Sequence, residues 1–170
     1  MNVHQKETIY YNQLSMDGWT IYIAATEKGL CFVGSQEAGY DEMKSWFERR
    51  RPKAFLIEDL NKVLIYKEQL VEYVRGKRKI FDLPIDLIGT EFQTAVWDEL
   101  QKIPFGETTS YSDIAEQINR PTSVRAVGTA IGANPVLIVV PCHRVISKSG
   151  RIAGYRGGIP MKERLLQLEK

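Results

Sequence analysis

The sequence predicts an α+β protein, with a small α/β unit in the N-terminal half and a mainly helical C-terminal half. Two observations carry that division. Before residue 40, three runs rich in Ile, Tyr, Val and Phe are split by tight-turn sequences. After Thr90, apolar residues recur at helical spacing in one segment after another. A third observation locates the chemistry: Cys142 and His143 stand side by side at the end of the apolar run 136–140.

Residues 8–14, 19–26 and 30–34 are expected to be strands of an antiparallel meander, because Met16-Asp17-Gly18 and Glu27-Lys28-Gly29 supply the turns. Cys31, next to Phe32 and Val33, reads as a core residue, and His4, in a polar N-terminus, as an exposed one. A helix over 41–50 places Met43, Trp46 and Phe47 on one side and runs into the basic stretch Arg49-Arg50-Arg51-Pro52-Lys53. A stronger helix over 58–75 carries Leu60, Val63, Leu64, Leu70, Val71 and Val74 at helical spacing and stops at Gly76. Residues 81–88 hold Pro84 and little periodicity. The chain is therefore divided near Asp86 into 1–85, a three-stranded antiparallel sheet with helices, and 86–170.

In the second unit Thr90 caps a helix with Phe92, Val96, Trp97, Leu100 and Ile103 as its apolar positions, closed by Pro104 and Gly106. A short helix over 112–118, a turn holding Asn119-Arg120-Pro121 and a helix over 123–133 follow. Two short helices joined by a tight turn form the helix-turn-helix pattern, which all-α cores also use. The second helix is almost without large side chains: Ala126, Gly128, Thr129, Ala130, Gly132 and Ala133. Its two glycines cost about 2 kcal/mol of helix propensity, so a close approach is expected to compensate. A nucleic-acid backbone or groove would supply it, with close helix packing as the alternative. Beyond Asn134-Pro135, residues 136–140 read as a buried strand and Pro141 turns the chain at Cys142. Residues 151–158 are glycine-rich and basic and suit a mobile loop over a site. Pro160 opens a last helix, ending at Glu169, with Leu165, Leu166 and Leu168 turned inward.

Composition narrows the class. With 44% apolar and 26% charged residues the chain can bury a real core. Two cysteines make no disulfide framework, and no Cys/His set offers four zinc ligands, so a reducing cytoplasm is expected, with neither metal nor cofactor. Residues 1–10 lack the apolar core of a signal peptide, and no apolar run approaches the roughly 20 residues that span a bilayer. The net charge of +2 decides nothing, but its distribution does. Between Glu116 and Glu163 there is no acidic residue, while Arg120, Arg125, Arg144, Lys148, Arg151 and Arg156 give the Cys-His region a one-signed surface.

Cysteine attacks as thiolate, and a neighbouring His or Arg cation lowers its pKa from about 8.5, so Cys142-His143-Arg144 reads as an activated nucleophile. Adjacent residues of a regular strand point to opposite faces, so the pair needs a turn and either direct contact or one bridging water. An inert core cysteine is the alternative.

Several signatures coincide beyond these. Phe92-Gln93-x-x-Val96-Trp97, Ile103-Pro104-x-Gly106-x-Thr108-x-Ser110-Tyr111, Arg125-Ala126-Val127-Gly128, Asn134-Pro135, Pro141-Cys142-His143-Arg144-Val145 and Gly154-Tyr155-x-Gly157-Gly158 resemble the O6-alkylguanine-DNA alkyltransferases, the methylated-DNA--protein-cysteine methyltransferase family. The resemblance spans residues 84–169; the first 80 residues agree only in length and coarse layout. It implies a ribonuclease-H-like N-terminal domain and a winged helix-turn-helix C-terminal domain. Carried over by motif, it makes Cys142 the alkyl acceptor, His143 its base through a water, Glu169 the carboxylate orienting the imidazole and Asn134 the hinge asparagine. Tyr111 becomes the proton donor to the departing guanine. Arg125 becomes the finger that fills the gap left by a flipped nucleotide, with Ser110, Thr122, Ser123, Ala126 and Gly128 on the DNA side. Val145, Ala153, Gly154, Tyr155 and Arg156 line the base pocket. Some members hold a structural zinc through N-terminal Cys and His residues that this chain lacks.

The implied activity is direct DNA repair by single-turnover transfer of an alkyl group from O6-alkylguanine, less well from O4-alkylthymine, in flipped-out DNA to Cys142. The implied partner is double-stranded DNA containing O6-alkylguanine, with no membrane, and a monomer that can cooperate along DNA. The alternative is a non-catalytic helix-turn-helix protein that binds alkylated DNA or regulates transcription.

Overall fold

The structure, a computed structural model, describes residues 7–170; the expectation for His4 lies outside them. Three antiparallel neighbours open the fold: β1 (Thr8–Met16), β2 (Trp19–Thr26) and β3 (Gly29–Val33). Met16 pairs with Trp19 across a two-residue turn in which Asp17 and Gly18 both have positive φ, 50° and 78°. That is the twist a tight hairpin needs, and Asp-Gly is the pair that adopts it at least cost. The helix α1 (Gly39–Arg50) then crosses to a fourth strand, β4 (Phe55–Glu58), which lies parallel to β1 and completes the order β3-β2-β1-β4. The three-stranded expectation is corrected here. Phe55-Leu56-Ile57 is too short an apolar run, between Pro52 and the acidic cap of the next helix, for any period to register.

Helix α2 (Leu60–Val74) starts at Asp59, whose side chain accepts from Lys62 N. Strand alternation sends the sheet's side chains to two faces. Ile9, Ala24 and Phe32 cluster with Met43, Trp46 and Phe47 of α1, whereas Leu14, Ile21 and Ile23 cluster with Val63, Leu70 and Tyr73 of α2. This second cluster runs on without a break into Val96, Trp97, Leu100, Val127, Leu137 and Leu165 of the C-terminal half. Backbone bonds reinforce the joint: Leu30 N donates to Pro84 O at 2.9 Å and Val33 N to Pro135 O at 3.0 Å.

The C-terminal half holds α3 (Glu91–Leu100), α4 (Tyr111–Gln117), α5 (Val124–Gly132) and α6 (Ile159–Leu168), with a short parallel pair, β5 (Thr109–Ser110) and β6 (Val145–Ile146). Trp97 Nε1 donates to Ala130 O at 2.9 Å, tying α3 under α5. The turn between α4 and α5 puts Asn119 at φ 61°, a conformation asparagine tolerates. Among the described residues no helix is long and apolar enough to cross a membrane.

One element differs in kind from the expectation. Residues 136–140 are not a strand: Val136 makes only an isolated bridge to Val33, and the rest is turn. The hydrogen bonds close locally, with Val139 N on Leu137 O, Val140 N on Val136 O and Cys142 N on Val140 O. Ile138, buried and β-branched, sits at φ 72°, a strained position held by the packing around it. An apolar run bounded by proline gives a buried strand and a buried turn the same sequence pattern.

Thr90 and Gln93 form a reciprocal capping box at the start of α3. Thr90→Ala should therefore cost about 1 kcal/mol in urea-induced unfolding, while Thr90→Asn should stay close to wild type.

Candidate active site

The turn after α5 is organised by Asn134, which is fully buried. Its Oδ1 accepts from Val136 N at 2.9 Å, and its Nδ2 donates to Val140 O at 2.9 Å and to Cys142 Sγ at 3.2 Å. One amide thus shapes the turn and holds the thiol. Pro141 leads into a single turn of 3-10 helix, Cys142–Arg144, which aims its three side chains in different directions.

Cys142 is 2% exposed, and burial pushes its thiol pKa up, against the Asn134 hydrogen bond and the charge of Arg156. Burial also holds the His143 imidazole below its ordinary pKa, against the pull of Glu169. The resting pair is accordingly a neutral thiol and a neutral imidazole. The expectation of a thiol already lowered by cationic neighbours is corrected, because desolvation outweighs them. Arg144 does not face the thiol at all. Its Nε and Nη2 reach Glu169 at 2.8 and 3.0 Å, and its Nη1 donates to Ile103 O at 2.6 Å.

Glu169 caps the C-terminus of α6, where a negative charge meets the unfavourable end of the helix dipole. Besides the two bonds from Arg144 it takes His143 Nε2 at 2.7 Å, the Tyr73 hydroxyl at 2.5 Å and Gly106 N at 3.3 Å. Although burial alone would raise it, the bonds from His143 and Arg144 hold its carboxyl well below the usual carboxylate range. With Nε2 engaged, the other imidazole nitrogen, Nδ1, is buried and meets no protein partner.

Above the thiol lies a cavity of about 410 Å³, lined by Tyr111, Gly128, Ile131, Gly132, Cys142, Gly154, Tyr155 and Arg156. A Cβ on Gly132 would meet open space and one on Gly128 would lie 3.7 Å from the Tyr111 ring. Helix packing does not demand these glycines; their smallness opens the cavity beneath α5. Burial, then the nearby Cys142, raises the Tyr111 pKa, so its hydroxyl keeps its proton. Tyr155 turns a buried hydroxyl without a protein partner into the same region.

The pocket loop is anchored, where the sequence predicts it mobile. Arg156 donates from Nε to Asn134 O, from Nη2 to Val33 O and Pro135 O, and from Nη1 to Glu42, with distances of 2.7 to 3.3 Å. Its guanidinium also lies against the rings of Phe32 and Trp46. Val145 and Ala153, expected in the pocket, are not among its lining residues. The Val145 side chain is in the core, and the carbonyls of both accept from Lys162 Nζ, at 2.6 and 3.3 Å.

On the outer face of α5, Arg125 and Ala126 are exposed, as is Thr122 before it, and Ser123 is half-buried. Ser110 is not on this surface: it is buried, and its hydroxyl accepts from Asp113 N as the cap of α4. Arg120, Arg125, Lys148 and Arg151 remain exposed, while Arg144 and Arg156 are turned inward, so the basic surface is smaller than the charge pattern implies. Cys31 is buried, bonds to Ala24 O and has its thiol pushed up to about 12 by burial, as suits a core residue.

Two residues of the site escape the sequence reading. Lys162 carries a signal in hindsight, since it shares one helical stripe with Leu165 and Glu169, and a charge on a buried stripe needs partners. Tyr73 carries none, because it sits on the apolar stripe of α2 with Tyr66 and Leu70 and its partner is 96 residues away.

A carboxylate held below its unfolded pKa stabilises the fold above that value, and the contribution is lost as pH falls toward the folded one. Glu169→Gln should therefore be less stable than wild type at neutral pH, and the gap should narrow as pH drops below about 4.5. Urea titrations of both proteins between pH 7 and 3 measure it.

Comparison with known proteins agrees with this geometry. A family model described as 6-O-methylguanine DNA methyltransferase, ribonuclease-like domain, matches residues 9–87, and one described as its DNA binding domain matches residues 91–170. The inducible methylated-DNA--protein-cysteine methyltransferase of Bacillus subtilis (strain 168) is 54% identical over 165 residues, covering 97% of this chain and 92% of that one. The protein of that name from Methanosarcina mazei is 41% identical, over 95% and 98% of the two chains. The crystal structure of Mycobacterium tuberculosis O6-methylguanine methyltransferase superposes with a TM-score of 0.82 at 38% identity, over 95% of this chain and 93% of that one. The same M. tuberculosis protein in complex with DNA gives 0.81, also at 38% identity, over 95% and 92%. With both halves matched in order and more than half the residues shared with a full-length relative, the chain belongs to the methylated-DNA--protein-cysteine methyltransferase family.

Proposed function

We propose that the protein repairs double-stranded DNA by moving the alkyl group of O6-alkylguanine onto Cys142, once per molecule. The observation that carries this reading is the thiol's position: it lines a cavity below a helix whose outer face offers Arg125 and small side chains. The family's name states the transfer, and a relative has been crystallised with DNA.

The chemistry follows from the residues. Guanine O6 is stacked inside a duplex, so a base reaches this cavity only when flipped out, at a cost of a few kcal/mol. Arg125, exposed on α5, fills the gap while the small face of that helix lies in the minor groove, where little sequence is read. Repair requires such indifference to sequence. His143 Nδ1, free of protein partners, takes the Cys142 proton through one water, and Glu169 on Nε2 stabilises the imidazolium. The thiolate attacks the saturated alkyl carbon, the carbon–O6 bond breaks, and the electron pair leaves with the guanine as Tyr111 hands it a proton; the proton held by His143 and the one lost by Tyr111 then balance by exchange with solvent. A thiolate formed only at this moment, on a side chain that is 2% exposed, is poorly solvated and correspondingly reactive. The product is a thioether with no leaving tendency, so nothing restores the thiol.

O4-alkylthymine offers the same alkyl–oxygen bond on a smaller ring and is proposed as the weaker substrate. A reducing cytoplasm suits a reaction that needs a free thiol. The rival reading, a protein that binds alkylated DNA without accepting the alkyl group, leaves the thiol in the cavity wall without a purpose.

Incubating the protein with duplex DNA bearing O6-methylguanine and weighing it by intact mass spectrometry should show the gain of one methyl group, mapped to Cys142. Cys142→Ser should lose that gain while binding DNA nearly as well, because affinity rests on backbone and groove contacts. No gain on the wild-type protein would overturn the reading. For Arg125→Ala, transfer from duplex DNA should fall roughly tenfold or more at matched salt, whereas transfer from the free base O6-methylguanine should barely change, since only the duplex requires extrusion. Equal losses on both would assign Arg125 to the pocket or the fold.

A further inference from the structure

The reactive centre described above is built in the C-terminal half, yet one of its bonds comes from the other half of the chain. Tyr73, on α2, is fully buried, and its hydroxyl donates to Glu169 Oε2 at 2.5 Å. The same oxygen accepts from His143 Nε2 at 2.7 Å. The Tyr73 ring is fixed from the sides by Phe81 and Phe105, at centroid distances of 5.4 and 6.2 Å, and Phe105 in turn lies 5.8 Å from the Arg144 guanidinium. The phenol's hydrogen bond goes to Glu169, and the Arg144 guanidinium acts on the same hydroxyl. A tyrosine placed only for its apolar bulk would not need this, and a phenylalanine would pack as well.

We propose that Tyr73 is a positioning residue for alkyl transfer: its hydroxyl fixes the Glu169 carboxylate so that Oε2 receives His143 Nε2–H, leaving Nδ1 to serve the Cys142 thiol. The N-terminal half thereby contributes a bond to the reactive centre and not merely a support for it. The proposal rests on the reading of Cys142, His143 and Glu169 given above. The physical argument is one of saturation. Oε2 can turn away from His143 if the carboxylate rotates, and the donors that oppose rotation are Arg144 and Gly106 on the Oε1 side and Tyr73 and Arg144 on the Oε2 side. The titratable and charged groups facing His143 are Glu169, Arg144 and Lys162, with Cys142 beside it in the chain.

Tyr73→Phe removes the hydroxyl and keeps the ring. Its rate of transfer from O6-methylguanine duplex should fall roughly tenfold, the scale of one hydrogen bond to a buried charge. In the Glu169→Gln background the same change should slow the reaction no further, because the two act through one contact. His143 observed by NMR should titrate at lower pH in Tyr73→Phe, since a Glu169 carboxylate free to turn away stabilises the imidazolium less. A stability loss with no such shift is the mark of a structural role. If the phenylalanine variant fails to fold, 3-fluorotyrosine at position 73 keeps ring and hydroxyl while strengthening the donor, and the transfer rate should then stay near that of wild type, a tenfold loss overturning the proposal. Wild-type rate in Tyr73→Phe, losses that multiply in the double variant, or an unmoved His143 titration overturns the proposal. Wild-type rate in Glu169→Gln overturns instead the role of Glu169 on which it rests.

Discussion

The structure turns on a buried carboxylate. Glu169 carries a negative charge in the interior and at the wrong end of a helix, and a charge so placed is tolerated only when its oxygens are saturated with donors. Those donors come from α2 through Tyr73, from the loop before β5 through Gly106, and from the 3-10 turn through His143 and Arg144. Each must hold its place for the others to be satisfied. The terminal helix, the reactive turn and the N-terminal half are therefore committed to one arrangement by a single side chain.

Around that point the site keeps its nucleophile quiet. Cys142 and Cys31 are both buried thiols whose pKa burial raises, and what separates them is their partners. Cys31 faces a strand carbonyl, whereas Cys142 faces an amide that donates to sulfur, at the wall of a cavity and next to an imidazole with a free nitrogen. A neutral thiol resists wasteful reaction with solvent-borne electrophiles, which matters for a side chain used once. The strained backbone at Ile138 and the full use of Asn134 show how tightly the turn below the thiol is specified.

Much of this was legible in the residues. Hairpin turns, helix caps and apolar stripes are local, and the Asp17-Gly18 turn, the Thr90 cap and the α2 stripe all fell where short-range physics puts them. Local reading lost its grip where one pattern serves two structures. Residues 136–140 form a turn because the Asn134 side chain captures Val136 N and Val140 O, a choice that hydrophobicity does not encode. Strand β4 is three apolar residues that gain meaning only from β1 beside them.

The sequence by itself determined the chemistry available: a thiol next to an imidazole, a small-faced helix with an arginine near its start, a glycine-rich basic loop, and motifs that together specify the family. Which charges point outward was decided only in three dimensions. Arg144 and Arg156 look like surface cations in the acid-free stretch, yet one is consumed by Glu169 and the other is stacked on Phe32 and Trp46 with its donors on Glu42 and three carbonyls. Tyr73 looks like core and holds a polar bond 96 residues away in the chain. The physical reason is common to all three: the partners that make a buried polar group affordable are brought by the fold from distant segments, and no window of sequence contains both ends of the bond.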